Sequence, residues 1–446
     1  MKGWTEARPG IGRKVRVGIA AALAILLVGS VALRVRPLAR TASLWNFGLS
    51  HSAAECLRDR CNPYDTQALN REAALRGDRK GEMGPDSVGS PPSALVVVMP
   101  LAWVRWPAAG WIYDGVGAVS VMAACTLLIL LLWREGSAAG AVLLLGAFAG
   151  RPFVQAMLAG NHGLLCVGCT AAACLLLLDP ARGRQSGWVA AALLGVALAV
   201  KPQVAVGASV FLVVKAETRG WAAKAWALFL ALLALGCAAY AWRLGSFEFL
   251  RSMAQGIELA RSEGYMLSPA PSNPVAQSFL QLQASLLEVR GCTLWAANTM
   301  TALVVGLLVV AGLWIGLGRG GVRTRPRTLL ALAVVVSLLP VYHRQYDRML
   351  VLLLVPAAAE MGRAGRLLGW MFTGLGLAWM LWDVVGDRAA RGENRWALSP
   401  VLELALCAVM LLSLWPGARS FRSMRDGEAS ATEGPADHAT AADTVS

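Results

Sequence analysis

Apolar residues in this chain come in long runs rather than in alternation. Runs of membrane-spanning length fall at about 17–33, 108–132, 137–157, 163–178, 221–241 and 293–317. Shorter or less regular ones follow at about 328–341, 349–359, 366–383 and 399–415. A helix needs roughly 20 apolar residues to cross the hydrocarbon of a bilayer. A membrane barrel would show period-two alternation, and these runs do not. The pattern predicts an all-α, polytopic transmembrane protein, because helices satisfy their own backbone groups in lipid.

Two interruptions shape the topology. Residues 94–104 are apolar but short, with Pro100 inside and Pro107 just beyond, which predicts a half-helix dipping from the outer face. Residues 187–199 and 203–214 read as two short helices separated by Lys201-Pro202, a hairpin pointing to the outer half of the membrane. With these, the chain makes about twelve crossings with both ends on the cytoplasmic side. The expected organisation is a basic N-terminus (1–16), a single transmembrane domain (17–415) and a polar, disordered tail (416–446). Two long polar stretches, 34–92 and 245–291, are expected as extracytoplasmic loops.

Composition and charge fit this picture. Hydrophobic residues make up 57% and charged residues 15%, which excludes an ordinary soluble domain. The net charge of +14 would suggest nucleic acid in a soluble protein. Here the basic residues gather in short loops, above all GRGGVRTRPR at 318–327, as the positive-inside rule expects, and no nucleic-acid motif is present. Four histidines without clustered ligands argue against a metal site, and no cofactor motif appears. Cys56 and Cys61 lie in the first polar stretch, as a disulfide or as two free thiols.

Charged groups near membrane depth are costly and point to function. Lys201 has apolar flanks on both sides; it suits a phosphate headgroup or a buried carboxylate partner. His343, Arg344 and Asp347 cluster between two short apolar runs, suited to oxyanions and proton traffic or to a solvated turn. Asn161 precedes His162 in another outer turn, where its amide can bond sugar hydroxyls or cap the next helix. The first loop offers Asn46, His51, Glu55, Asp59 and Asp65. Carboxylates and an imidazole of this kind can serve as a general base that takes a proton from a hydroxyl. The turn Asn62-Pro63-Tyr64-Asp65 is either structural or the carrier of that base.

The order of these pieces resembles glycosyltransferase family 87, of the GT-C membrane superfamily. That family shows Asp-Phe-x-x-Tyr-Tyr-x-Ala-Ala after its first span, then Pro-Tyr-Asp. Here the matching stretches are Asn46 to Ala54 and Pro63-Tyr64-Asp65. Pro91-Pro92, Gly160-Asn161, Lys201-Pro202 and the turn from His343 to Asp347 follow in the family's order. The resemblance implies transfer of a mannose-like hexose from a polyprenyl-phosphate donor to a lipid or glycan acceptor. It places a multi-pass protein in the plasma (inner) membrane with its active site extracytoplasmic. Lys201, Asn161, His343, Arg344 and Asp347 would bind substrate. The family's first-loop Asp aligns with Asn46, and an amide does not serve as a base. The base is then Asp65, Asp59 or His51, or activity is altered or lost. The other reading of the residues is a transporter or lipid flippase with Lys201 and Asp347 as a coupling pair.

Overall fold

The computed structural model describes residues 44–75, 90–149, 151–179, 183–261, 282–290, 292–318, 325–340, 345–364, 366–389 and 398–415. The expected first span at 17–33, the basic N-terminus and the polar tail lie outside the described residues. Among the described residues the chain is helical throughout, with no strand.

The first polar stretch is not a plain loop. It carries α1 (Trp45–Arg58) and α2 (Thr66–Leu75), followed by α3 (Pro92–Val98) and a 3-10 segment Met99–Trp103. Next come α4 (Ala108–Glu135), α5 (Ala138–Ala149), α6 (Arg151–Ala159) and α7 (His162–Leu178). The hairpin around Lys201 is α8 (Arg184–Val200) and α9 (Pro202–Val214), and α10 spans Arg219–Leu244. The second polar stretch also carries helices, α11 (Glu248–Arg261) and α12 (Leu282–Arg290). The remainder is α13 (Leu294–Gly318), α14 (Pro326–Leu338), a 3-10 segment Gln345–Leu353, α15 (Val355–Ala364), α16 (Arg366–Ala389) and α17 (Leu398–Leu414).

Four helical stretches are long and apolar enough to cross a membrane: α4, the α5–α6 stretch Ala138–Ala159, α10 and α13. Seven shorter apolar helices accompany them among the described residues. α10 and α13 turn most of their apolar surface outward; Leu307, Val310 and Trp314 are each more than 60% exposed. Such a surface is tolerable only against lipid or a partner. With the apolar helices, it makes this a membrane protein.

The core is built on α7, α8 and α4. α7 is buried along most of its length and packs between α4 and α8. The close approach to α4 requires Gly168, because a Cβ there would lie 2.5 Å from the backbone of Ser120 and Val121. α8 packs on α10, and α9 on α14. Helix ends follow local chemistry. Gly136 closes α4 in the left-handed conformation, φ 63°, which glycine adopts without strain. Pro202 opens α9 at its first turn, where its missing N–H costs nothing.

The polar turn expected at 342–348 is folded differently where it is described. Asp347 and Arg348 lie in the 3-10 segment, almost fully buried, packed on α6 and α7. Arg348 Nη2 donates to Ser399 Oγ at 3.1 Å, and Trp379 Nε1 donates to the buried carboxylate of Glu403 at 3.0 Å. These polar partners let a charged segment run through an apolar core.

Candidate active site

Lys201 occupies the break between α8 and α9. Pro202 cannot continue α8, so the residue before it is thrown out of the helical conformation, φ −147° and ψ 76°. The amine emerges from that break into a polar cluster. Nζ lies 2.5 Å from Asp347 Oδ1 and 3.5 Å from Asn161 Oδ1. The lysine side chain is 12% exposed and that of Asp347 1%, so the pair is largely desolvated but not sealed. Asn161 also caps α7, accepting from Gly163 N–H at 2.7 Å. Gly163 leaves the space: a Cβ there would come 3.0 Å from Asp347 Oδ1 and 2.8 Å from Asn161 Oδ1. A cation and the positive end of a 17-residue helix therefore meet in one polar cluster, a setting that favours negative charge.

A second layer rests on this one. Gly160, at φ +60°, lets the chain turn directly under Leu44 and Phe47. Leu44 N–H bonds Leu158 C=O at 3.0 Å, anchoring the start of α1. One turn further, Ser50 Oγ lies 2.7 Å from His162 Nε2, and Tyr113 Oη lies 2.5 Å from His162 Nδ1. Phe47 stacks on Tyr113 with centroids 4.3 Å apart. Asn46 precedes Ser50 by one turn on the same face of α1. Its Nδ2 is buried and has no hydrogen-bond partner among the described residues.

The model of glycosyltransferase family 87 matches residues 90–342, more than half of the sequence. The chain belongs to glycosyltransferase family 87. It is accordingly a glycosyltransferase by family, handling a sugar donor and an acceptor at a membrane. No curated protein and no solved structure matches the chain. The family match includes Pro91-Pro92, Asn161 and Lys201 but stops short of Asn46 on one side and of Asp347 on the other.

Of the residues read from sequence, this family-87 structure brings Lys201, Asn161 and Asp347 together, with Asn46 one helical turn before the Ser50 that contacts His162. Asp65 and His51 share no hydrogen bond with that cluster. Asp65 is exposed and caps α2, accepting from the N–H groups of Gln67 at 3.0 Å and Ala68 at 3.2 Å. His51 is fully buried; its Nε2 faces the carbonyls of Leu101 and Val104 at 3.1 Å each, and Glu55 lies 3.5 Å from Nδ1. His343 and Arg344 lie outside the described residues. Asn62 and Tyr64 tie the first polar stretch to the bundle. Asn62 Nδ2 donates to Ser252 Oγ, and Tyr64 Oη donates to Ser90 C=O at 2.9 Å. Burial pushes the Tyr64 phenol up.

The polar layer also contains groups that sequence reading missed. Ser50 lies inside the Asn46–Ala54 stretch and His162 follows Asn161, but neither was read as a functional group, and nothing in the sequence singled out Tyr113. Ser93 Oγ donates to Ala199 C=O at 2.7 Å, pinning α3 to the last turn of α8 beside Lys201. Asp114, next to Tyr113, is buried with neither carboxylate oxygen hydrogen-bonded among the described residues. Among those residues, no three His, Cys, Asp or Glu side chains are grouped to hold a metal ion.

An apolar groove of about 270 Å³ runs between α9, α13 and α14. It begins at Val206, Ser337 and Pro340 and continues past Val210 and Leu332 to Val214 and Gly316. The groove thus follows α9 from Val206 to the helix's far end at Val214, about 12 Å at 1.5 Å per residue.

Proposed function

We propose that this protein transfers a mannose-like hexose from a polyprenyl-phosphate sugar to a lipid or glycan acceptor on the extracytoplasmic face of the plasma membrane, with a GT-C arrangement of about twelve crossings. One observation carries the reading. A largely desolvated amine stands at the break that starts α9, and an apolar groove lined from Val206 onward runs along the same helix. An ammonium over an apolar channel matches a lipid phosphate: the phosphate meets Lys201, and the isoprenoid chain follows α9, α13 and α14. Arg344, from the sequence, would be a second cation for the same phosphate. Asn46 is a donor to a sugar hydroxyl or phosphate oxygen, not a base.

In the resting state Asp347 holds Lys201 in place. An arriving phosphodiester carries one negative charge and joins the carboxylate on the ammonium, which has three N–H donors to share. The same Lys201–Asp347 pair is what a coupled transporter would need. Family membership favours the transferase.

Sidedness rests on two supports. Cys56 and Cys61 form a disulfide beside α1, with Cα atoms 5.0 Å apart, and such bonds persist in oxidising compartments. The opposite end of the bundle is basic. There Arg134 pairs with Asp179, and Arg327 and Arg363 both reach Glu135.

The test is direct. Purified protein in vesicles is incubated with labelled polyprenyl-phosphate mannose and membrane extract, and label on acceptor is counted. Transfer is expected for the wild type. Lys201→Gln is expected to weaken donor binding by about 10- to 100-fold, the worth of one hydrogen bond to a charged group. Uptake or flipping of the lipid without transfer of sugar would overturn the proposal.

A further inference from the structure

Transfer to a hydroxyl needs a base, and the position that should carry a carboxylate holds Asn46. We propose that Ser50 and His162 form the proton relay that deprotonates the acceptor in this chain, with Tyr113 fixing the imidazole. The inference rests on the transferase reading and goes beyond it by naming the base.

The geometry is that of a working dyad. Ser50 Oγ stands 2.7 Å from His162 Nε2, and His162 Nδ1 stands 2.5 Å from Tyr113 Oη. Both ring nitrogens are therefore engaged, and a neutral imidazole carries one N–H and one acceptor. With the hydrogen on Nδ1 donated to Tyr113 Oη, Nε2 accepts from the Ser50 hydroxyl. Tyr113 is itself held, edge-on to His162 at 5.2 Å and stacked on Phe47 at 4.3 Å. Ser50 lies one turn beyond Asn46 on the same face of α1, so the relay starts one helical turn from the position of the missing carboxylate. His162 follows Asn161, the residue that touches Lys201. The base and the phosphate site are thus adjacent positions of one helix start.

The step balances. The acceptor O–H donates to Ser50 Oγ. As the acceptor oxygen bonds to the anomeric carbon of the sugar, its proton passes to Ser50 Oγ, and the Ser50 proton passes to His162 Nε2. The bond between the anomeric carbon and the donor phosphate oxygen breaks, and its electron pair leaves on the phosphate beside Lys201. The imidazolium is held by its Nδ1–H bond to Tyr113. Lys201 opposes a second positive charge nearby, but Asp347 and the departing phosphate dianion offset it. The released phosphate monoester, with a second pKa of about 6, then takes the proton away.

The test uses full-length protein in vesicles, with melting temperature and labelled-donor binding measured beside transfer. Ser50→Ala and His162→Gln are expected to lower kcat by about 100-fold or more, the usual worth of a general base, with the donor KM unchanged. Tyr113→Phe keeps the ring packing and is expected to lower kcat less. The decisive variant adds Asn46→Asp to His162→Gln: a carboxylate at 46 is expected to restore most of the lost kcat, which repair of packing alone would not do. Near-normal transfer by His162→Gln overturns the relay, as does a rise in donor KM that accounts for the whole loss, or failure of Asn46→Asp to restore it. Loss of transfer in Asp114→Asn with retention in His162→Gln assigns the base to Asp114 instead. Wild-type protein that binds no labelled donor sinks the transferase reading itself and the relay with it; donor binding with unaffected variants sinks only the relay.

Discussion

The tightest constraint at the scale of single residues is the pair Lys201–Asp347. Both side chains are removed from water, and neither is stable there alone. Taking away one partner of a buried pair costs about 3–5 kcal/mol, because the other charge is left uncompensated, whereas replacing both by apolar groups costs little. Lys201→Met is therefore expected to lower the melting temperature sharply, and Lys201→Met with Asp347→Leu to recover most of it while transfer stays lost. Recovery of transfer along with stability would show that the ammonium serves only the fold. Asp65 gives the opposite expectation. Its carboxylate caps α2 through two backbone N–H groups, so Asp65→Ala is expected to cost about 1 kcal/mol in unfolding free energy and to leave kcat unaltered. A loss of kcat at unchanged stability would return Asp65 to the list of bases.

At the scale of elements, most helices could be read from the runs of apolar residues, because lipid imposes length and composition on anything that crosses it. The break at Lys201-Pro202 was legible because proline cannot continue a helix and is accepted only in the first turn of the next one. The two polar stretches were not legible as helices. α1 and α2 owe their order to contacts far along the chain, such as Ser50 with His162 and Asn62 with Ser252, which leave no local period. Asp347 was found as a charge between apolar runs, but its burial depends on packing against α6 and α7. The element that positions everything is α7, and Gly168 sets its distance from α4. A Cβ would strike Ser120 Oγ and, at 2.5 Å, the backbone of Ser120 and Val121, which cannot swing aside. Gly168→Ala is expected to cost about 1–3 kcal/mol in stability. It should also slow transfer more than donor binding, since it displaces His162 from Tyr113 of α4 while leaving Lys201 on α8. Equal damage to both would mean that the helix moves as a body.

At the scale of the whole molecule, two polar ends are joined by apolar helices. α8 runs from Arg184 at one end to Lys201 at the other, and α9 returns from Lys201 to Lys215, so the chain itself measures the separation. The Lys201 end carries α1, the Cys56–Cys61 disulfide and α2; the other carries Arg134, Arg327 and Arg363. The proposed sidedness puts the second end in the cytoplasm, as the positive-inside rule expects, and the first in an oxidising space, as the disulfide favours. Two single cysteines can test this assignment without reference to activity. Gln67 on α2 and Arg184 at the start of α8 are both exposed. Gln67→Cys is expected to react with a membrane-impermeant maleimide on intact cells, and Arg184→Cys only after the membrane is opened. Cys56 and Cys61 should stay silent until reductant is added. Labelling of both positions from one side would break the inference that α8 crosses. The reverse order would place the Lys201 amine, its groove and the Ser50–His162 pair toward the cytoplasm. An acceptor outside the cell could not then reach them.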